Sequence, residues 1–135
     1  MLTGIRAGAR GLAAAALTAA ALLSPGLTAP AQAADSAPCT RDPNYPSLFR
    51  CPMWGTDINM RLAPDPNATA SGKAPDNGYI LADCQVKGGR ATYGGYWHTW
   101  WVRSPASGMA PTRYMSEIFL VGGGNDEPDS GLPVC

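Results

Sequence analysis

The chain has 135 residues, ten basic and ten acidic, and no formal net charge. Sixteen glycines and thirteen prolines punctuate it throughout, which excludes long helical bundles and doubly wound α/β folds, both of which need unbroken periodic segments. Balanced charge at only 15% charged residues also argues against an electrostatically driven nucleic-acid binder, and the length allows one domain.

The N-terminus carries Arg6 and Arg10 and no acid before Asp35. From Gly11 to Leu23 there are only Gly, Ala, Leu and Thr, a run shorter than the ~20 residues a spanning helix needs. Ser24-Pro25-Gly26 breaks it, and Ala31-Gln32-Ala33 offers small residues at the spacing a signal peptidase accepts. Residues 1–33 therefore read as a secretory signal peptide, with the Ala-rich composition of high-GC Gram-positive bacteria. No cysteine stands directly at the cleavage site, so no lipid anchor is indicated. Cleavage removes Arg6 and Arg10, leaving eight basic against ten acidic residues, a net charge of −2. The expected product is secreted, extracellular or associated with the cell wall, and has no stable membrane anchor.

Residues 34–56 are punctuated by Pro38, Pro43, Pro46 and Pro52 and read as an extended N-terminal arm, anchored on the body by Tyr45, Leu48, Phe49 and Trp54. Asp57 to Leu62 alternates polar and apolar residues, a half-buried strand that ends at Ala63-Pro64. Residues 67–78 read as a loop. Tyr79 to Val86 reads as one strand with Ile80, Ala82, Cys84 and Val86 facing the core. Lys87-Gly88-Gly89-Arg90 reads as a turn, and Tyr93-Gly94-Gly95 as a second turn or bulge. Tyr96 to Val102 is the densest aromatic run, and as a strand it carries tryptophan on both faces. Met109 to Met115 is a further strand, Ser116 to Leu120 a helical turn returning to a short strand, and 122–131 a flexible acidic tail that Leu132 to Cys135 docks back onto the body. Short strands with Gly/Pro turns indicate a small all-β barrel or sandwich.

All four cysteines, Cys39, Cys51, Cys84 and Cys135, survive cleavage, and an even count in a small exported chain reads as two disulfides. Of the three pairings, Cys39–Cys51, closing a local loop, and Cys84–Cys135, stapling the tail to the core, are favoured. The spacings fit neither a zinc site nor a C-x-x-C redox site.

Ile58-Asn59-Met60-Arg61 followed by Pro64, Asp83-Cys84-Gln85-Val86, Trp97-x-Thr-Trp100, the stretch from Gly108 through Tyr114-Met115-Ser116, and the terminal Leu132-Pro133-Val134-Cys135 together resemble bacterial SH3-like domains of the secreted actinobacterial type. The resemblance covers about residues 57–120 plus the terminal cysteine. It departs in the 63–78 loop, which lacks an apolar strand, and in the extra residues 34–56. It implies an SH3-like β-barrel of five to six short strands over residues 57–121, with 122–135 as a docked tail. It also implies a groove that binds peptides or cell-wall material, in a module that targets rather than catalyses.

His98 is the sole histidine. With every cysteine expected oxidised and no Gly-x-Ser-x-Gly elbow, no nucleophile is evident for it to serve, so it is expected to contact ligand or water from a strand face. Asp126, Glu127 and Asp129 sit in the Gly-rich tail and read as solvated rather than as a glycosidase pair. The aromatic cluster carries the functional signal. Trp100 and Val102 are expected in the core, and Tyr96, Trp97, Trp101 and Tyr114 are expected to line a ligand groove. The reading is a monomeric, non-enzymatic binder of cell-wall peptidoglycan or peptide, without cofactor, metal or nucleic acid. The alternative is a small secreted inhibitor or interaction protein that meets another secreted protein through the 63–78 loop.

Overall fold

Where the structure describes this Gly/Pro-rich chain, its backbone is satisfied mainly by strand pairing. The computed structural model describes residues 37–135; the expected signal peptide lies outside them. The described residues contain eight strands: β1 (Thr40–Arg41), β2 (Phe49–Pro52), β3 (Asn59–Arg61), β4 (Ala70–Lys73), β5 (Tyr79–Ala82), β6 (Cys84–Tyr93), β7 (Tyr96–Ser104) and β8 (Arg113–Ser116), followed by a 3₁₀ turn at Glu117–Phe119. They form a three-stranded sheet, β1-β2-β5, and a five-stranded sheet, β4-β3-β8-β7-β6. The fold is all-β and barrel-like, with the two sheets not joined into one closed cylinder.

The Pro-rich stretch expected as an arm supplies β1 and β2, which pair through Thr40↔Arg50 and with β5 through Cys51↔Ile80. Asp42 organises the connection between them. Its carboxylate accepts the Asn44 and Tyr45 N–H groups and bonds Arg50 at 3.0 Å. The segment 67–78, expected as a loop, contains β4, which pairs with β3 through Asn59↔Lys73. Ala70–Lys73 presents no apolar face, so its strand character comes from backbone pairing alone. The single strand expected over 79–86 is two strands. The chain crosses from one sheet to the other at Asp83, whose N–H donates to the Arg103 carbonyl and whose carboxylate bonds the Arg103 guanidinium at 2.8 Å. Crossing there shifts the inward phase by one residue, so Gln85 is buried and Val86 half-buried. Lys87 to Arg90 is not a turn but continues β6 through an irregularity between Lys87 and Ala91. The hairpin turn is Gly94-Gly95, where φ of 55° and 85° suits glycine.

Cys51, Met60, Ile80, Val102 and Met115 form the main core between the sheets, and Leu120 and Leu132 complete it from the C-terminal segment. Disulfides join Cys39 to Cys51 and Cys84 to Cys135, the pairing favoured from spacing. They fit an oxidising environment. No helix among the described residues is long and apolar enough to cross a membrane. The second bridge holds the tail over β6, where Gln85 accepts the Asp129 N–H and donates to the Asp129 carbonyl, both at 2.8 Å. The Asp129 carboxylate in turn accepts the Cys39 and Gly131 N–H groups at 3.0 and 2.8 Å. The tail expected to be flexible is thereby tied to both sheets.

Candidate functional site

The five-stranded sheet curls until β3 and β6 face one another. The loop after β3 meets β6 where the Gly89 N–H donates to the Pro64 carbonyl at 2.8 Å. Glycine is needed at position 88 as well, since a Cβ there would lie 2.0 Å from the Pro64 oxygen. Beyond this closure the two strands leave an open cleft of about 750 Å³. Trp54, Ile58, Phe119 and Tyr93 are among its walls, and Arg61 and Arg90 lie along it.

Three rings dominate the cleft. Trp54 and Tyr93 are 6.0 Å apart by centroid, Trp54 and Phe119 5.7 Å, and Tyr93 and Phe119 5.4 Å, all tilted or edge-on. Such geometries favour the aromatic quadrupoles. The Trp54 indole N–H donates to the Ile118 carbonyl at 2.8 Å, which fixes the ring while 42% of the residue stays exposed. Tyr93 is 56% exposed at the hairpin end. Arg61 is held by a bond to the Ala68 carbonyl at 2.8 Å, and the Arg90 guanidinium stacks over Trp97 at 4.2 Å. Asp57, the acid of this cleft, is paired with Lys73 at 3.2 Å.

The four residues expected to line the groove are distributed differently. Trp97 lines a shallow surface with Arg90, Tyr93 and Tyr96, adjoining the cleft. Tyr96 packs edge-on to Trp54 at 6.5 Å. Trp101 is only 2% exposed and forms a second small core with Ala91 and Ile118, its indole N–H donating to the Gly89 carbonyl. It therefore supports the cleft from beneath and offers no face to a ligand. Tyr114 packs against the same small core. Trp100, expected in the core, is half-buried with the Lys87 ammonium 5.7 Å above its ring; Val102 is buried as expected. The exposed rings that sequence reasoning left out of the groove are Trp54 and Tyr93. In the sequence Tyr93 stands just before the Gly94-Gly95 turn, and Trp54 stands in the Pro-rich stretch where it reads as an anchor.

His98 is 6% exposed, not open to ligand on a strand face. Burial pushes its pKa below the ordinary histidine value, while the charge of Asp126, a hydrogen bond to Gly124 and the charge of Glu127 oppose this. Asp126 is no solvated acid. It bonds the Thr99 hydroxyl and accepts the Thr99 N–H at 2.8 Å, and these bonds hold its carboxyl below the usual range. With Asn125, which accepts the Trp97 N–H, it occupies the edge of β7 that β8 does not reach. A second cleft, of about 600 Å³, lies at the other end of the molecule between Tyr45, Tyr79, Pro105 and Arg113, without a cluster of stacked rings.

Comparison with protein-family models, with characterised proteins and with solved structures yields no match for this chain.

Proposed function

We propose that this is a secreted, non-catalytic binding module whose aromatic cleft holds an extended peptide or cell-wall glycan. The observation that carries this reading is the Trp54–Tyr93–Phe119 ring cluster, exposed in an open cleft beside Arg61 and Arg90. A soluble chain leaves large rings exposed together at a cost in unburied apolar area, and such patches mark interaction surfaces. Flat rings stack on sugar faces and on peptide planes, and guanidinium groups supply the planar donors that carboxylate-bearing ligands accept. The fixed indole of Trp54 presents its face without a further ordering cost. The SH3-like resemblance accords with this reading, because it implies a groove used for wall or peptide recognition.

Titration of residues 34–135 with soluble peptidoglycan fragments, followed by tryptophan fluorescence, tests the proposal. Saturable quenching is expected, weakened at least about tenfold in Trp54→Ala and Tyr93→Ala, as for truncated aromatic anchors elsewhere. Unchanged affinity in both folded variants would overturn it.

A further inference from the structure

The 3₁₀ turn that gives Phe119 to the aromatic cleft gives Glu117 to a different, smaller cavity of about 130 Å³ under the C-terminal tail. Its wall also includes His98, Glu127 and Asp129, with Pro38 at one side. Two of these side chains are incomplete. Among the described residues, neither Glu117 Oε1 nor His98 Nδ1 has a hydrogen-bond partner, although the two residues are 4% and 6% exposed. A buried polar atom without a partner is uncommon and costly, so two around one cavity call for an occupant.

The chemistry of the wall identifies the occupant. Three acidic residues and one histidine line the cavity, and among the described residues no lysine or arginine does. The other two carboxylates are held by backbone amides, Glu127 by the Gly124 N–H and Asp129 by the Cys39 and Gly131 N–H groups. These bonds fix them without cancelling their charge. Since the His98 ring already bonds Gly124, its neutral Nδ1 is an acceptor. The cavity thus presents acceptors and negative charge, the complement of a cation with several N–H donors. A metal ion suits it less, because no group of three or more His, Cys, Asp or Glu side chains among the described residues converges as a metal requires.

We propose that this cavity binds a primary ammonium group, which donates to Glu117 Oε1 and His98 Nδ1. The group can come from two sources. One is an amine-bearing ligand, such as a peptide with a free amino side chain. The other is the chain's own α-ammonium, which cleavage after Ala33 would create four residues before Pro38.

Binding must discharge a proton. Burial pushes the unoccupied Glu117 carboxyl up to about 8, with the charge of Asp129 adding to the rise and a hydrogen bond from the Asp129 backbone opposing it. An ammonium ion favours the carboxylate, so near pH 6.5 the Glu117 proton leaves to solvent as the ammonium enters. The other charged groups facing this region are His98 on β7 and Asp126, Glu127 and Asp129 on the tail, with Lys87 on β6 beyond Asp126.

The test uses residues 34–135 with the Ala34 amine either acetylated or free, and ethylammonium as probe. His98 ring protons are followed by NMR, and proton release by calorimetry in two buffers of different ionisation enthalpy. The acetylated chain is expected to show a saturable His98 shift and release of nearly one proton. The isosteric Glu117→Gln is expected to abolish the proton release and weaken binding at least about tenfold. If the free chain shows a low Glu117 pKa and no response to ethylammonium while the acetylated chain responds, the α-ammonium is the occupant and the proposal stands. A saturable response to zinc or calcium in place of ethylammonium overturns it. So does an absent response in both chains with Glu117 still titrating near its elevated value.

Discussion

Replacing Glu117 with glutamine should change the way stability depends on pH. The Glu117 carboxyl titrates near 8 in the folded chain against 4.5 in its ordinary state. Between those values the folded chain holds a proton that the unfolded chain has released. Stability therefore falls as pH rises through this window, by on the order of 1 kcal/mol per pH unit, and levels off above the folded value. Across the window the loss amounts to a few kcal/mol, a large share of the roughly 5–15 kcal/mol that holds a domain of this size. Glutamine keeps the shape and cannot ionise, so it should remove the slope and leave the variant more stable than the wild type at pH 8. Urea unfolding at half-unit steps from pH 4.5 to 8.5 reads this directly, on chains acetylated at Ala34 so that no free α-ammonium intervenes. Parallel curves for wild type and Glu117→Gln would refute the reasoning.

Other consequences follow from the same contacts. The acid limb of the stability curve should have the opposite slope: Asp42 and Asp126, held low in the fold, lose their contribution as pH falls through their folded values, and His98, depressed by burial, penalises folding below about 6.5. The maximum is thus expected at mildly acidic pH, and a maximum above pH 8 would contradict the assignment. Gln85→Ala removes the bonds that hold Asp129 and should cost about 2–4 kcal/mol by thermal unfolding, with the tail amides gaining hydrogen exchange; unchanged exchange in the tail would count against the latch. Gly131→Ala would place a Cβ 1.9 Å from the Cys39 carbonyl oxygen and should destabilise by several kcal/mol, whereas Gly123→Ala, with open space around it, should cost only the strain of its positive φ, about 1 kcal/mol. Replacing both Cys84 and Cys135 by serine should cost about 4 kcal/mol from the released loop, against about 3 for Cys39 and Cys51.

The strand β7 was legible because the aromatic run from Tyr96 to Val102 is bounded by the Gly94-Gly95 turn, and it runs on to Ser104. Its two faces were not separable, because both are covered: Val102 lies between the sheets while Trp101 is enclosed by Ala91 and Ile118. Nothing local distinguishes Trp101 from Trp100, and the order of the two was reversed. The strand β4 carries no apolar signal, and only its pairing with β3 makes it a strand. Gln85 and Glu117 are polar residues whose burial depends on the tail arriving from far along the chain. The one hint was Cys135, which had to bring the tail onto the body. Trp54 was visible as a large ring in a Pro-rich stretch, but its exposure follows from the curl of the sheet, which no local pattern encodes.

The exposed rings of Trp54 and Tyr93 are the proposed ligand surface. Co-sedimentation of oxidised residues 34–135 with purified peptidoglycan, beside the folded double variant Trp54→Ala/Tyr93→Ala, measures it. Sedimentation of the wild type and its loss in the double variant are predicted. A wild type that stays in the supernatant, or a double variant that still sediments with it, would contradict the account.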